Sequence, residues 1–546
     1  MCLIDMLCGF FWLCFLGKTD IDISGICDDS RKVKKGDVFI CIAGAWCDGH
    51  DYIGEVIDKG AAAIIVSRPD VFYRVYEARH ENIRDLTDEQ QKITWIWTAD
   101  TRLAEAWMAG RFYHSIELCE NINQDDEKNV KCCIHKNMEK DAKSHIKNQN
   151  NYGSREDDRK DNKKESECQD KLRNLKSTVY LKKSEYPCII GITGTKGKTT
   201  TTYMLKSIFE KAGYKVGLIG TVVIDTGKEV LQATQTTPSA LELHRYLQMM
   251  RRNHVDVVVM EVSSQGLKQH RIAGITLDAV VLTNIYEDHI GPNEHADMEE
   301  YMYCKSLIFK QSKIGFINED SPRAVEIAKQ AACPVEYYSL KKLENMKENL
   351  ATNMPAEFNK ENALAAATVA QHFCISKTFI HQGLMDVHVP GRMEILPYFK
   401  DFTVMIDYAH NATALENLLY AVRKIYTGKI ICVFGCGGNR DKHRRIEMGE
   451  VSGRLADLTI ITNDNPRFEP PETIISQIED GVLKAGGQYM IIPDRCEAID
   501  TGIHMAHPGD IVILAGKGHE NYQEIKGVKY PLDEHIYIKE KYNHCL

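Results

Sequence analysis

The chain has 546 residues, enough for roughly three or four domains. Its hydrophobic content of 43% and charged content of 27% exclude wholesale disorder, a collagen-like fibre and a polytopic membrane protein. A net charge of −9 argues against a dedicated nucleic-acid binder, and 18 scattered cysteines without a C-x-x-C pair read as reduced, packed thiols.

The opening segment MCLIDMLCGFFWLCFLG holds an apolar run too short to span a bilayer. Asp5 precedes it and no Lys or Arg comes before Lys18, unlike a secretory leader. A buried first helix or a mildly membrane-adhesive end is expected, in a cytoplasmic protein. Residues from about 20 to 115 mix short β-branched runs (VFICIAG, AAAIIVS) with a helical stretch, TRLAEAWMAGRFY. Residues 116–186 turn to Lys, Asp, Glu, Asn and Gln (DDRKDNKKESECQDK), which predicts a flexible or partly helical insertion. After Pro187 a strand (CIIGITG), a helix ended by Gly213 and further strands (KVGLIGT, VDVVVMEV, LDAVVLTN) set up a βαβ rhythm, hence a mostly parallel sheet. A second such rhythm follows VPGRMEI: TVMIDYAH, a helix from Ala414, KIICVFGCGG, DLTIITND and DIVILAG.

The strongest local signal is Gly191-Ile-Thr-Gly194-Thr-Lys-Gly197-Lys198-Thr199-Thr200, between strand and helix. Glycines let backbone amides point into one concavity at a positive helix end, where a polyphosphate can sit. Lys198 would reach the β- and γ-phosphates, and the Thr199 hydroxyl would bind Mg²⁺. Ile192 stands where the usual spacing has its first glycine.

The run TGTKGKTT resembles the phosphate loop of the Mur ligases, ATP-dependent enzymes that add amino acids to peptidoglycan precursors. DSRKVKKGDVFICIAG, QTTPSALEL, EVSSQGLKQHR, TNIYEDHIG, EYMYCKSLIF, VPGRMEI, DYAHN, FGCGGNRDKHRR, DNPRFE and AGKGHENYQ follow in that family's order. The resemblance implies an α/β fold of three Mur ligase domains, with a central parallel-sheet P-loop ATPase domain and a Rossmann-like C-terminal domain. Its boundaries would be 1–115 for UDP-sugar recognition, 116–186 for the insertion, 187–388 for ATP and 389–546 for the amino acid.

The implied reaction begins when a carboxylate of a UDP-linked dipeptide attacks the ATP γ-phosphate. An amine then traps the acyl phosphate. Such catalysis is largely positioning and charge neutralisation. The resemblance assigns Lys198, Glu261, His289 and Lys305 to catalysis, with Thr199, Glu261, His289 and a carbamoylated Lys305 around Mg²⁺. ATP would be held by Gly194, Thr195, Lys196, Gly197, Lys198, Thr199 and Thr200, and by Asn362, Arg392 and Asp407. Ser30, Arg31, Thr236, Thr237, Ser263, Gln269 and Arg271 would take the UDP substrate. The Thr-Thr-Pro run has another explanation, a helix N-cap before Ser239.

DNPR goes in that family with meso-diaminopimelate, whose far end carries a carboxylate and an ammonium. Arg467 would grip the carboxylate with help from Arg440, and Asp464 with Glu520 would face the ammonium. Asn465, Pro466 and Gly516 complete that set. The expected protein is thus a ligase joining meso-diaminopimelate to UDP-MurNAc-L-Ala-D-Glu, with small-molecule partners, no nucleic acid and no membrane span. The rivals are a same-fold ligase for L-lysine or another acceptor, and a divergent nucleotide-binding paralogue. Departures from the family are the insertion, an apparently short stretch between Phe309 and Phe358, Gln265 in place of a common His, and DYAHN in place of DYAHTP.

Overall fold

The computed structural model describes residues 1–44, 47–80, 92–115, 185–287, 290–291, 294–321, 323–345, 350, 352–354 and 356–542. His289 and residues 116–184 of the expected insertion lie outside the described residues. The chain forms two compact units, one of residues 1–198, 209–339 and 367–379, the other of residues 199–208, 340–366 and 380–546.

The first unit opens with a five-stranded sheet of β1 (Cys14–Leu16), β2 (Gly25–Cys27), β3 (Asp37–Ile40), β4 (Ala63–Val66) and β5 (Thr94–Trp97), in the order β1-β5-β4-β3-β2. All its pairs are parallel except β1 with β5. Every residue of β3 and β4 is buried, and their period of two sends alternate residues to separate cores. Phe39, Ile64 and Val66 pack with Phe72 and Trp95 on one face; Val38, Ile40 and Ile65 pack with Leu3, Met6 and Met108 on the other. A buried first helix is present as expected, with Leu3, Met6 and Leu7 inside, but it takes only the start of the opening segment. Gly9 takes a φ of +76°, so the run divides into a short helix, Leu3–Leu7, and the edge strand β1.

An eight-stranded sheet follows: β6 (Cys188–Thr193), β7 (Val216–Ile219), β8 (Val223–Asp225), β9 (Val230–Gln232), β10 (Val257–Glu261), β11 (Ala279–Leu282), β12 (Gly315–Asn318) and β13 (Val335–Tyr338). Its order is β13-β12-β11-β6-β10-β7-β8-β9. The expected parallel rhythm runs from β13 to β7, while β8 and β9 return antiparallel. The stretch after Phe309 that looked short still supplies β12 and β13. Because β10 and β7 lie on one side of β6 and β11 and β12 on the other, the strand order switches sides at β6, and crevices open at the carboxyl ends of strands at such a point.

The helix Ala240–Arg252 docks on the helix Thr101–Tyr113 through a ladder of polar contacts. Glu105 accepts a hydrogen bond from the Leu241 N–H at 3.1 Å, and Ser115 Oγ lies 2.7 Å from His244 Nδ1. Gln248 donates to the Tyr113 carbonyl at 2.7 Å, and Arg251 donates to the His114 carbonyl at 2.5 Å. Arg251 also pairs with Glu185 and lies over the Tyr186 ring.

The second unit is built on a six-stranded sheet: β14 (Glu394–Leu396), β15 (Thr403–Asp407), β16 (Ile430–Phe434), β17 (Leu458–Ile461), β18 (Tyr489–Ile491) and β19 (Ile511–Ala515). Its order is β14-β15-β19-β16-β17-β18, with only β14 antiparallel. A hairpin of β20 (Tyr522–Ile525) and β21 (Val528–Pro531) follows. Cys432 and Cys436 are buried and pushed up to about 12, which keeps them protonated, as packed thiols should be. Among the described residues no helix is long and apolar enough to cross a membrane.

Candidate active site

Three neighbouring strand ends form one side of the site. Parallel register sets Glu261 of β10 beside Ile192 of β6, and Leu282 of β11 beside Thr193, so the loops leaving all three emerge together. β6 runs into the glycine loop, where Gly194 has a φ of +144°. A Cβ at Gly194 would stand only 1.9 Å from Thr283 Oγ1, so no larger residue fits there. The segment after β11 latches this loop. Thr283 Oγ1 donates to the Lys196 carbonyl at 2.6 Å, the Asn284 Oδ1 accepts from Lys196 N at 2.8 Å, and the Asn284 carbonyl accepts from Thr195 N at 3.0 Å.

Two lysines converge on the loop. Lys198 Nζ donates to the Gly194 carbonyl at 2.9 Å and to that of Thr195 at 3.2 Å. Lys305, on the helix Met298–Ser306, donates to the same Gly194 carbonyl at 3.0 Å and lies 4.7 Å from the Tyr301 ring centre. With 1% of its surface exposed, Lys305 is not the solvated lysine that a helix-borne residue would ordinarily be. Thr199 and Thr200 are buried where the helix Lys198–Lys211 begins.

Glu261 closes β10 and is 1% exposed. Its Oε1 accepts from the Thr221 N–H at 2.9 Å and its Oε2 from the Thr221 hydroxyl at 3.0 Å. Five of the predicted UDP-substrate residues, Thr236, Thr237, Ser263, Gln269 and Arg271, form a linked group beside it. Thr236 Oγ1 lies 3.1 Å from Thr221 Oγ1, and Thr237 Oγ1 is 3.1 Å from the Glu261 carbonyl and 3.2 Å from Ser263 Oγ. Arg271 donates to the Thr237 carbonyl at 2.5 Å and, through Nη2, to Gln269 Oε1 at 2.7 Å. The helix that follows is capped by Ser239, which accepts from Glu242 N; the two threonines are therefore not spent on capping.

Ser30 and Arg31 make their polar contacts within the first sheet's own region. Ser30 Oγ donates to Glu55 at 3.2 Å, and Arg31, with its side chain 84% exposed, grips Asp29 through Nε and Nη2. That guanidinium holds the Asp29 carboxyl down at about 2. A separate cluster brings His295, Glu300 and Cys304 together. Both Glu300 oxygens there are committed, one to Lys268 at 2.7 Å and the other to Ala296 N at 2.7 Å.

In the second unit, Asn362 is buried on the helix Glu357–His372 and accepts from Thr201 Oγ1 at 3.4 Å. Asp407 closes β15 and accepts from the N–H groups of Met393 and Ala409, each at 2.8 Å. Desolvation raises its carboxyl above the ordinary range, with the nearby Arg392 opposing. Arg392 lies over the Tyr408 ring at 4.6 Å. It is not a simple surface ion pair.

The DNPR segment follows β17, and its residues meet the GKGHE segment that follows β19. Asp464 and Asn465 are buried. Asn465 Nδ2 donates to Glu520 Oε2 at 2.8 Å, and the Tyr408 hydroxyl donates to Glu520 Oε1 at 3.2 Å. A Cβ built on Gly437 would come within 3.3 Å of Arg467 Nη1 and 3.9 Å of Arg440 Cγ, so both arginines flank that loop. A Cβ on Gly516 would meet Asp464 Oδ2 at 2.9 Å. The ammonium that Asp464 and Glu520 face here is the protein's own, Lys517 Nζ, at 4.0 and 3.7 Å.

Thr221, Thr283, Asn284, Tyr301 and Lys517 also stand among these groups, although no sequence motif singles them out. Thr283 and Asn284 carried a usable signal, since they directly follow the buried LDAVVL strand where loops carry chemistry. Thr221 carried none; its partner is 40 residues away.

Family models described as "Mur ligase family, catalytic domain", "Mur ligase middle domain" and "Mur ligase, glutamate ligase domain" match residues 22–113, 192–370 and 391–518. A UDP-N-acetylmuramoyl-L-alanyl-D-glutamate--2,6-diaminopimelate ligase of Caldanaerobacter subterraneus subsp. tengcongensis is 34% identical, covering 96% of this chain and 95% of its own. A protein of the same name from Syntrophomonas wolfei is 34% identical over 95% of this chain and 94% of its own. A solved structure of a ligase of that name superposes with a TM-score of 0.57 at 22% identity, covering 97% of this chain and 96% of that one, which agrees with the fold.

Proposed function

The chain belongs to the Mur ligase family, and from that premise we propose that it is an ATP-dependent, ADP-forming ligase joining meso-diaminopimelate to UDP-MurNAc-L-Ala-D-Glu. The observation that carries this reading is the meeting of Lys198 and Lys305 on the Gly194 carbonyl, next to the end of β10, where Glu261 meets the Thr237–Arg271 group. The backbone of residues 194–197 cradles the ATP phosphates, and Lys198 swings from its carbonyls to the transferring phosphoryl group, neutralising charge as it builds. Arg271, Ser263, Gln269 and the two threonines orient the dipeptide so that its carboxylate attacks the γ-phosphorus in line, and ADP departs. The diaminopimelate amine then attacks the acyl carbonyl and phosphate leaves. Asn362, Arg392 and Asp407 are further proposed nucleotide contacts, and Ser30 with Arg31 serves the uridine end.

Glu261 offers buried hard oxygen donors, which suit Mg²⁺, as does the Thr199 hydroxyl; His289 joins them by the family pattern. An ammonium at Lys305 does not suit a cation site, whereas its carbamate would. The metal, when bound, neutralises the polyphosphate. We assign residues 1–115 to UDP-sugar recognition, 187–388 to ATP and 389–546 to the amino acid, and place the reaction in the cytoplasm, where ATP is at hand.

The test is phosphate release from the full chain with each amino acid in turn, with and without the UDP-dipeptide. Release is expected only when diaminopimelate and the dipeptide are both present. Turnover with L-lysine in its place, or none under any condition, would overturn the reading.

A further inference from the structure

Resting on the reading above, in which Arg467 takes the distal carboxylate of the amino acid, we propose that Glu524 is a positioning residue that sets the guanidinium of Arg467 for that task. Glu524 lies on β20, in the hairpin, 57 residues further along the chain. It grips Arg467 twice. Its backbone carbonyl accepts from Arg467 N at 3.0 Å, and its side-chain Oε2 accepts from Arg467 Nε at 3.2 Å. Lys526 N closes the bridge by donating to the Arg467 carbonyl at 2.6 Å. These contacts hold Arg467 at a φ of +52°, a backbone region that non-glycine residues seldom occupy and that persists only where surroundings impose it.

A guanidinium has five N–H donors in a fixed fork. Glu524 takes the Nε proton, and the Gly438 carbonyl takes one from Nη1 at 2.6 Å. Among the described residues nothing accepts from Nη2. The end of the fork formed by Nη2 and the second Nη1 proton is thereby left for a ligand carboxylate, the geometry that bidentate recognition requires. Without the Glu524 carboxylate, the guanidinium keeps one anchor and can rotate about its side-chain torsions. Asn465 ties the same strand to the site, since its Oδ1 accepts from Glu524 N at 2.9 Å while its Nδ2 holds Glu520. One hairpin strand thus registers both the arginine and the Asn465–Glu520 pair.

The experiment is steady-state phosphate release by the full chain, varying diaminopimelate and ATP separately, for wild type, Glu524→Gln, Glu524→Asp and Arg467→Ala. In Glu524→Gln the KM for diaminopimelate should rise about tenfold, while the KM for ATP and the kcat stay within about twofold. Should that variant not fold, judged by thermal melting, Glu524→Asp keeps the charge but shortens its reach and should show the same isolated rise. An unchanged KM for diaminopimelate in a folded Glu524 variant, with Arg467→Ala raising it, overturns the positioning role alone. An Arg467→Ala enzyme with an unchanged KM, or a wild type inactive with diaminopimelate, overturns the reading of Arg467 and this proposal with it. Equal losses for both substrates would mark Glu524 as merely structural.

Discussion

At the scale of single residues, the site depends on groups held by neighbours before any substrate arrives. Lys198 and Lys305 share one carbonyl, and Glu261 has both oxygens engaged by Thr221. Such engagement fixes rotamers and lowers the reorganisation needed when charge develops. Lys198→Ala removes a partly buried cation that donates to two carbonyls of its own loop. Phosphate release should therefore fall below detection while the melting temperature stays within about 2 °C of wild type, checked by calorimetry. A large drop in melting temperature would mean that the lysine serves the fold. Lys198 was legible in the sequence because the loop pattern is local. The burial of Lys305 was not, since its cover comes from Gly194 and Tyr301, one of them 111 residues away.

At the scale of elements, close approaches between loops decide what the chain tolerates. A Cβ on Gly438 would stand 1.9 Å from the Pro466 carbonyl oxygen, a backbone atom that cannot rotate away. Gly438→Ala should cost about 1–3 kcal/mol in denaturant unfolding and weaken diaminopimelate use, because it pushes the DNPR segment off its partner loop. The docking of the helix Thr101–Tyr113 on the helix Ala240–Arg252 buries Glu105, whose carboxyl is pushed up to about 7. Desolvation is the main cause and Asp28 adds to it, while the Leu241 N–H, Arg102 and Arg271 oppose. Since this folded value lies above the ordinary carboxylate range, the folded state holds the proton longer than the unfolded one. Stability from Glu105 is full below about pH 4.5 and is lost as pH rises through about 7, worth about 3 kcal/mol at most. His244, buried and pushed down to about 4, works in the opposite sense, losing stability as pH falls below its ordinary value. The wild-type profile therefore mixes the two, and the variant separates them. Glu105→Gln keeps an acceptor for Leu241 and should melt higher than wild type at pH 8 by several degrees, with little difference at pH 4.5. A constant offset at both values would refute this assignment.

At the scale of the whole molecule, the segment that reads from the sequence as an insertion, 116–186, invites a deletion test. The residues flanking 116–184 are held from one helix: Gln248, His244 and Arg251 fasten Tyr113, Ser115 and His114, and Arg251 also holds Glu185 and Tyr186. Because these contacts fix both flanks, a short Gly-Ser linker replacing 116–184 should leave phosphate release within about twofold and the melting temperature nearly unchanged. A variant that folds but loses activity would instead give the insertion a part in the reaction.

The sequence alone determined the α/β character, the order of elements and the phosphate loop. These rest on hydrophobic periodicity and on glycine spacing, which act within a few residues of the chain. It also carried the motifs of the Mur ligase family, down to the threonines and Arg271 of the linked group beside Glu261. Tertiary structure decided the rest: that Lys305 is buried, that Lys517 stands between Asp464 and Glu520, that Glu524 holds Arg467, and that the apolar opening breaks into a helix and an edge strand. Each of these depends on partners brought close only when separate segments pack. Burial and ion pairing are properties of that packing, and no local pattern encodes them.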